Sequence, residues 1–474
     1  MVKRITTGIE GLDEVLQGGF PKGSMILLGG NPGTGKTIFS GEFLHYGGKN
    51  FENGLYVSLS EGREAFINNM TSFGLDFEIL ERENRLKILD LVTVKEAGLD
   101  TLMEMMTSDI DTFGVERLVI DSFTALTNAF EKPIDTRITL HLLSKIIRQT
   151  GCTTLIITEI PTGQQGIGLG IEEFVVDGII TLKKKWLEDR LLRELEIQKM
   201  RGTMMTETRF LFTLHKGFRI FQPFKPSQVE EPKRFKPVQH SEKTFSTGCA
   251  EFDQIVGGGL PKGSMVFFEF GKDVPKDIPL LFLTPIMADF ISQGMGSIVL
   301  PNSGDNAESI YNMAKTVSLT DEEINSYLRV IERYRPYLKR DEKYIYSQQA
   351  QTMTERYEMG TRIGQELIQK TGKPLLTFLG LDTAEAAFGE ENLKKMLDQL
   401  VTDNRITECL LIVASKPGVG EILPFASNMA DTYLKMIYEN GIALFYGIRP
   451  KTSFYAVETD STEGYKLPKF TPIL

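Results

Sequence analysis

Cysteine, tryptophan and histidine are all scarce in this chain: three Cys, one Trp and four His among 474 residues. Cys152, Cys249 and Cys409 lie far apart and make no C-x-x-C pair. That excludes a disulfide framework and a cysteine-based metal site as organising features. Cys152 and Cys409 border apolar runs and read as small core residues. Long apolar runs are missing too. None approaches the ~18 residues a membrane-spanning helix needs, and residues 1–6 lack the apolar stretch of a secretory signal. A cytoplasmic protein without membrane attachment is expected. Positive charge is also in deficit: 53 Lys+Arg against 63 Asp+Glu leaves a net charge of −10, without the basic footprint of a nucleic-acid binder. The basic stretches Lys183-Lys184-Lys185 and Lys233-Arg234-Phe235-Lys236 read as a solvated strand end and a charged linker.

What the chain does have is concentrated at residues 30–37, Gly-Asn-Pro-Gly-Thr-Gly-Lys-Thr. This is a complete G-x-x-x-x-G-K-[ST] phosphate-binding loop. An apolar run at 25–28 precedes it and a helix-forming stretch at 38–46 follows. Gly30, Gly33 and Gly35 let the backbone turn its N–H groups around an anion, with Thr34 between them and Ile38 just beyond. Lys36 is placed to reach the terminal phosphates and Thr37 to hold Mg²⁺ by its hydroxyl. The expected cofactors are ATP and Mg²⁺.

Residues 7–25 and 247–265 align without a gap at an offset of 240, sharing Thr-Gly, Asp, Gly-Gly and Pro-Lys-Gly-Ser-Met. One such pair indicates a duplicated domain, since a solenoid repeats every ~20–50 residues. Between the copies, Pro223, Pro226, Pro232 and Pro237 mark an extended linker. The expected domains are 1–224, a linker at 225–243, and 244–474. In the first half, apolar runs at 25–28, 55–59, 86–90, 118–120, 155–158 and 178–182 alternate with helical stretches at 63–73, 100–107 and 137–149. The alternation predicts an α/β fold with a mainly parallel twisted sheet flanked by helices.

The run 116–122 ends in Asp121, a carboxylate that can hold Mg²⁺ through water. The run 55–59 leads to Ser60-Glu61, and Glu61 is the candidate general base. Glu159 ends another run, as a nucleotide sensor or a strand cap. Further on, Lys199 and Arg201 stand at i and i+2, the spacing that points two cations one way on a strand. Such a pair suits either a neighbour's phosphate or an ordinary charged edge.

Together these residues resemble the KaiC-like ATPases of the RecA superfamily. The resemblance rests on Thr7-Gly8 to Asp13, Gly18-Gly19-Phe20-Pro21-Lys22-Gly23, the phosphate loop, Ser72-Phe73-Gly74, Asp121-Ser122, Ile171-Glu172-Glu173-Phe174-Val175 and Lys199-Met200-Arg201-Gly202-Thr203. It covers residues 1–224. It implies two tandem RecA-like P-loop NTPase domains and a homo-oligomeric ring, commonly a hexamer, with ATP between subunits. It further implies that residues 33–38 bind phosphates and that Ser72 lies near the ribose or base. Lys199 and Arg201 would act in trans, with Met200 and Thr203 in the same nucleotide-binding box. In one respect the chain departs from the family pattern. The family has two adjacent glutamates after the second strand, whereas here the first is Ser60.

The offset of 240 exposes a loss in the second half. Gly30, Gly33, Gly35 and Thr37 become Phe270, Asp273, Pro275 and Asp277, and only the lysine is kept, as Lys276. Each aspartate repels phosphate by up to ~4 kcal/mol per unit-charge pair at ~4 Å, and Pro275 removes a backbone donor. Ser303 falls about where Glu61 should, the run 375–381 still leads to an acid, Asp382, and Arg449 survives without its lysine. An insertion before Asp382 contains a helix-like stretch at 321–337. The second half thus reads as a pseudo-ATPase without autokinase activity, used for assembly or for binding a regulatory protein. The expected function is slow ATP hydrolysis in a regulatory ring. A DNA-dependent recombinase or helicase-like ATPase and a non-catalytic ATP sensor are the alternatives.

Overall fold

The computed structural model describes residues 2–91, 99–127, 133–161, 175–225, 228–333, 342–348, 353–418 and 420–474. The chain forms two compact units, Met1–Gln222 with Pro472–Leu474, and Pro223–Thr471.

The first unit is built on a nine-stranded sheet. Its strand order is Arg219–Ile220, Arg209–Thr213, Arg190–Met200, Gly178–Leu187, Met25–Gly30, Thr153–Glu159, Arg117–Asp121, Gly54–Ser58, Leu86–Asp90. The six strands from Gly178–Leu187 to Leu86–Asp90 run parallel, and the three at the other edge are antiparallel. Met25–Gly30 is buried at every position, the pattern of a central parallel strand covered on both faces. The helix Lys36–Lys49 packs on one face with Phe39, Phe43 and Leu44 in the core. Leu140, Leu143 and Ile147 of the helix Pro133–Thr150 belong to the core of the other face.

The second unit repeats this order with one strand more: Ile345–Gln348, Leu328–Arg333, Ser297–Leu300, Leu376–Gly380, Leu410–Ser415, Met265–Phe270, Thr432–Glu439, Ile442–Arg449, Tyr455–Asp460, Leu467–Pro472. Both units therefore have the RecA-like α/β architecture expected from the sequence. Among the described residues no helix is long and apolar enough to cross a membrane.

Two segments differ from the sequence reading. Among its described residues, the helix-like stretch 321–337 is a helix over Asp321–Tyr327, capped by the reciprocal Thr320–Glu323 box, and residues 334–337 lie outside the described residues. Leu328–Arg333 is a strand pairing in parallel with Ser297–Leu300. Leu328 and Val330 are buried on one side, so the apolar period switches from helical to two at that point. The proline-rich segment has no helix or strand among its described residues, yet it is packed. Phe235 is in the core of the second unit, and the N–H groups of Lys233, Phe235 and Val238 donate to Gly464 O, Val317 O and Asp289 Oδ1.

One buried charge ties the helix Lys36–Lys49 to the sheet. Arg117 is 1% exposed; its Nε donates to Glu52 Oε2 at 2.6 Å and its Nη1 to Phe43 O at 2.8 Å. Gly47 leaves the room, since a methyl group there would lie 2.3 Å from Arg117 Cδ. Removing one partner of such a pair strands the other charge in the interior. Glu52→Ala should lower the unfolding free energy of the first unit by about 3 kcal/mol, read from urea denaturation.

Candidate functional site

The phosphate loop leaves the carboxyl end of Met25–Gly30 and turns through Gly33 (φ 72°) and Gly35 (φ 103°), a region that disfavours side chains. Gly30 is also required by space, since an added methyl would lie 2.7 Å from both Leu182 O and Thr34 Oγ1. Thr34 is buried and its hydroxyl donates to Asn31 O at 2.8 Å, bracing the loop. The helix then starts at Lys36, so its first N–H groups have no intrahelical acceptor and point toward the loop. Ile38 packs against the core and orients this first turn. Lys36 Nζ donates to Gly30 O and Asn31 O at 2.9 and 3.1 Å. Burial pushes its pKa down, opposed by the charges of Glu159 and Asp121.

Asp121 is buried at the end of its strand, two strands away from the loop strand. It accepts from Thr37 Oγ1 at 3.0 Å and from Tyr56 Oη at 2.8 Å. Burial raises its pKa, while the two hydroxyl donors hold it down. Tyr56 is held well above the usual phenol range by its own burial and then by Asp121, so it stays a donor. A threonine hydroxyl beside a buried carboxylate is a hard-oxygen pair that fits Mg²⁺, an ion that keeps several waters and needs few protein ligands. Among the described residues no group of three or more His, Cys, Asp or Glu forms a metal cage.

Glu61 follows the end of the strand Gly54–Ser58, and Asn69 Nδ2 donates to its Oε2 at 3.2 Å. Burial first, then the charge of Asp121, raises its pKa. Glu159 is exposed at the end of its strand, and its N–H donates to no loop atom but bonds Thr124 Oγ1 at 2.8 Å. Ser72 is exposed at the end of the helix Arg63–Ser72, with its hydroxyl on Asn69 O. Residues 171–174 lie outside the described residues.

The basic box is at the other end of the sheet. Lys199 is in register with Ile179, and Ile179 with Leu27. Lys199 is thus three residues short of Gly30, about 10 Å at ~3.3 Å per residue. Arg201 is farther still: its N–H donates to Asp177 O, and the Asp177 N–H donates to Met25 O. Lys199 Nζ donates to Val176 O at 2.8 Å, and exposed Arg201 pairs with Asp177 at 3.2 Å. Met200 is a core residue packed on Gly178, so only its main chain is open to a ligand, and Thr203 Oγ1 accepts from Arg4.

Two cations beside the loop escaped the sequence reading. Lys183 and Lys185 pair with Glu196 and Glu194 on one face of their strand. Lys184, between them, points the other way: a methyl built on Gly33 would lie 2.8 Å from its Nζ. Arg193, in register with Lys184, brings Nη1 to 3.4 Å from Gly33 O. The period-2 rule was the available signal, but only the register shows which face meets the loop.

In the second unit the matching positions are emptied of this chemistry. Register counting through Leu410–Ser415 and Met265–Phe270 puts Gly380, not Asp382, at the place of Asp121. Asp382 is in the first turn of the next helix, where it accepts from Ser303 N and, in the better amide orientation, from Asn302. The expectation that an acid survives at the end of this strand is corrected accordingly. Asn302 fills the space beside Gly380, where a methyl group would lie 2.6 Å from its N. Val299 stands where Tyr56 does.

A phosphate loop after a central parallel strand, with a threonine–aspartate pair beside it, defines a P-loop ATPase domain of the RecA type. Residues 5–223 match the family described as "ATPase: KaiC", and residues 234–471 match "GvpD basic region 2". A UPF0273 protein of Pyrococcus horikoshii is 35% identical over 236 residues, covering 47% of this chain and 95% of the relative. Another from Methanocaldococcus jannaschii is 35% identical over 239 residues, covering 47% of this chain and 98% of the relative. The circadian clock oscillator protein KaiC of Parasynechococcus marenigrum is 33% identical over 275 residues, covering 56% of this chain and 52% of its own. The chain thus spans about half the length of that clock protein. The crystal structure of a KaiC-like protein from Pyrococcus horikoshii is 33% identical, with a TM-score of 0.43, covering 47% of this chain and all of that one. The chain belongs to the KaiC-like ATPase family through its first half, and its second half is a GvpD basic region 2 domain.

Lys184 supplies a cation beside the phosphate loop from within the same chain. Lys184→Ala should weaken Mg-ATP binding about tenfold by titration calorimetry, a loss of ~1.4 kcal/mol. Lys183→Ala, on the opposite face, should leave it unchanged.

Proposed function

We propose that the first half binds Mg-ATP and hydrolyses it slowly at a site completed by a neighbouring copy in a ring. The observation that carries this reading is the strand register. Lys199 and Arg201 stand about three or more residues along the sheet from their own loop, too far to touch a phosphate held there. The same pair is exposed or half-buried at the sheet's end, where a neighbour's nucleotide could meet it. A head-to-tail interface, the kind that closes into rings, puts one subunit's loop against the next subunit's opposite end.

Within the site, the N–H groups of residues 33–38 would cradle the phosphates, and Lys36 would swing from Gly30 O and Asn31 O to the terminal ones. Thr37 would hold Mg²⁺ directly and Asp121 through water; the ion would offset phosphate charge. Glu61 orients the attacking water and takes its proton. Its raised pKa suits a base working near neutrality. Lys199 and Arg201 offset the charge that develops on the neighbour's phosphate. Ser72 of the same chain, and the Met200 main chain and Thr203 of the neighbour, would stand at the margins of the site, toward the ribose or base. The second half, without loop, hydroxyl pair or strand-end acid, serves assembly or partner binding, and the ATP state of the ring gives a regulatory output.

Ser60, in place of the first of two glutamates, favours a second reading in which ATP is bound and not turned over. Phosphate release separates the two. Slow release that falls at least tenfold in Glu61→Gln, with mass rising to a ring on adding Mg-ATP, is expected. Wild-type release should also fall as pH drops, beginning above the usual glutamate range because protonated Glu61 cannot accept a proton. Equal rates in wild type and Glu61→Gln would remove Glu61 from the mechanism.

A further inference from the structure

The second unit has a cavity of about 500 Å³ at the place of the lost nucleotide site. It opens at the carboxyl ends of Met265–Phe270, Ser297–Leu300 and Leu410–Ser415, where open α/β sheets bind ligands. Its volume falls within the ordinary range for small-molecule sites. The walls have changed character. Leu280, Leu283, Met287, Ile310, Met313 and Phe378 line it. Phe270 replaces the first loop glycine and Val299 the tyrosine of the first unit, both in the wall.

The charges at its rim have changed too. The charged residues among the described lining are Lys272, Lys276 and Lys416 with Asp277 and Asp305, leaving one net positive charge. Lys416 is engaged by Ser303 O at 3.0 Å and by Asp305 at 3.3 Å. Lys272 and Lys276 are exposed at the mouth. A triphosphate would meet two aspartates there and no glycine cradle. An apolar body carrying one negative charge would satisfy both walls and mouth.

We infer that this cavity is a ligand site converted from nucleotide to a monoanionic amphiphile, an apolar body with one carboxylate-like head held by Lys272 and Lys276. No bond is made or broken in this binding. The inference stands apart from the ATPase reading, because it concerns residues of the second unit alone.

The test uses the full chain with dodecanoate as probe, by titration calorimetry below its micellar concentration. One saturable site per chain is expected, with dodecan-1-ol binding about tenfold more weakly for want of the head charge. The double variant Lys272→Glu/Lys276→Glu, both positions being exposed, should weaken dodecanoate about tenfold and leave dodecan-1-ol unchanged. Met313→Trp should abolish both by filling the cavity, with its thermal unfolding compared with wild type to confirm that it is folded. Lys36→Ala should remove ATP binding and leave dodecanoate untouched, which separates this inference from the ATPase reading. No saturable binding, equal binding by the charge-reversed variant, or competition by ATP in the Lys36→Ala protein would overturn it.

Discussion

The strand Met25–Gly30 is hydrogen-bonded along both edges, to Thr153–Glu159 and to Gly178–Leu187, and the functional geometry depends on that double pairing. Its apolar side chains are buried on both faces, which fixes the register against slippage: a one-residue shift would turn every side chain to the other layer. One consequence appears at the carboxyl end, where the loop, Asp121, Tyr56 and Lys184 converge. The other appears at the amino end, where the antiparallel return of Arg190–Met200 delivers Lys199 and Arg201. The same ladder that brings the loop, its threonine and its acid together holds the basic pair about three or more residues away from them.

The second unit shows how far the frame tolerates loss of its chemistry. Its strand order is retained and its core is as aromatic as any part of the chain, with Phe252, Phe282, Phe445 and Phe470 in mutual ring contact. Burial of this kind, rather than nucleotide, holds the sheet and helices together. With stability supplied elsewhere, the loop was free to become Phe270-Gly271-Lys272-Asp273-Val274-Pro275-Lys276-Asp277, and its helix begins with an aspartate where the first unit has Thr37. Family membership through two different halves accords with this division: one half keeps the ATPase motif, and the other keeps only its architecture.

Features written in local sequence are legible in the chain alone. The phosphate loop, its flanking strand and helix, and Asp121 at a strand end need only neighbours in the chain to be recognised, and the α/β class follows from the alternation of runs. Features set by long-range pairing are not. Tyr56 belongs to the site because its strand lies beside that of Asp121, 65 residues away. Lys184 is in sequence simply part of a basic run, since sequence cannot say which face of a strand meets a loop about 150 residues earlier. Asp382 looked like the surviving acid because it follows an apolar run, but the ladder ends two residues sooner, at Gly380. The stretch 321–337 misled for a related reason. Its charges suit a helix surface, and the buried alternation of Leu328 and Val330 is too short to stand out.

The central claim is that each ATP site takes its loop from one subunit and its cations from the next. Subunit mixing tests it directly. Lys36→Ala chains lack a working loop and Arg201→Ala chains lack a working cation, so each alone should release almost no phosphate. After dissociation and reassembly in equal amounts, an intact loop from one variant meets an intact box from the other at about a quarter of the interfaces of a head-to-tail ring. Recovery of roughly a quarter of the wild-type rate is the result this account predicts. A mixture as inactive as its components, although it reassembles into rings, would contradict it.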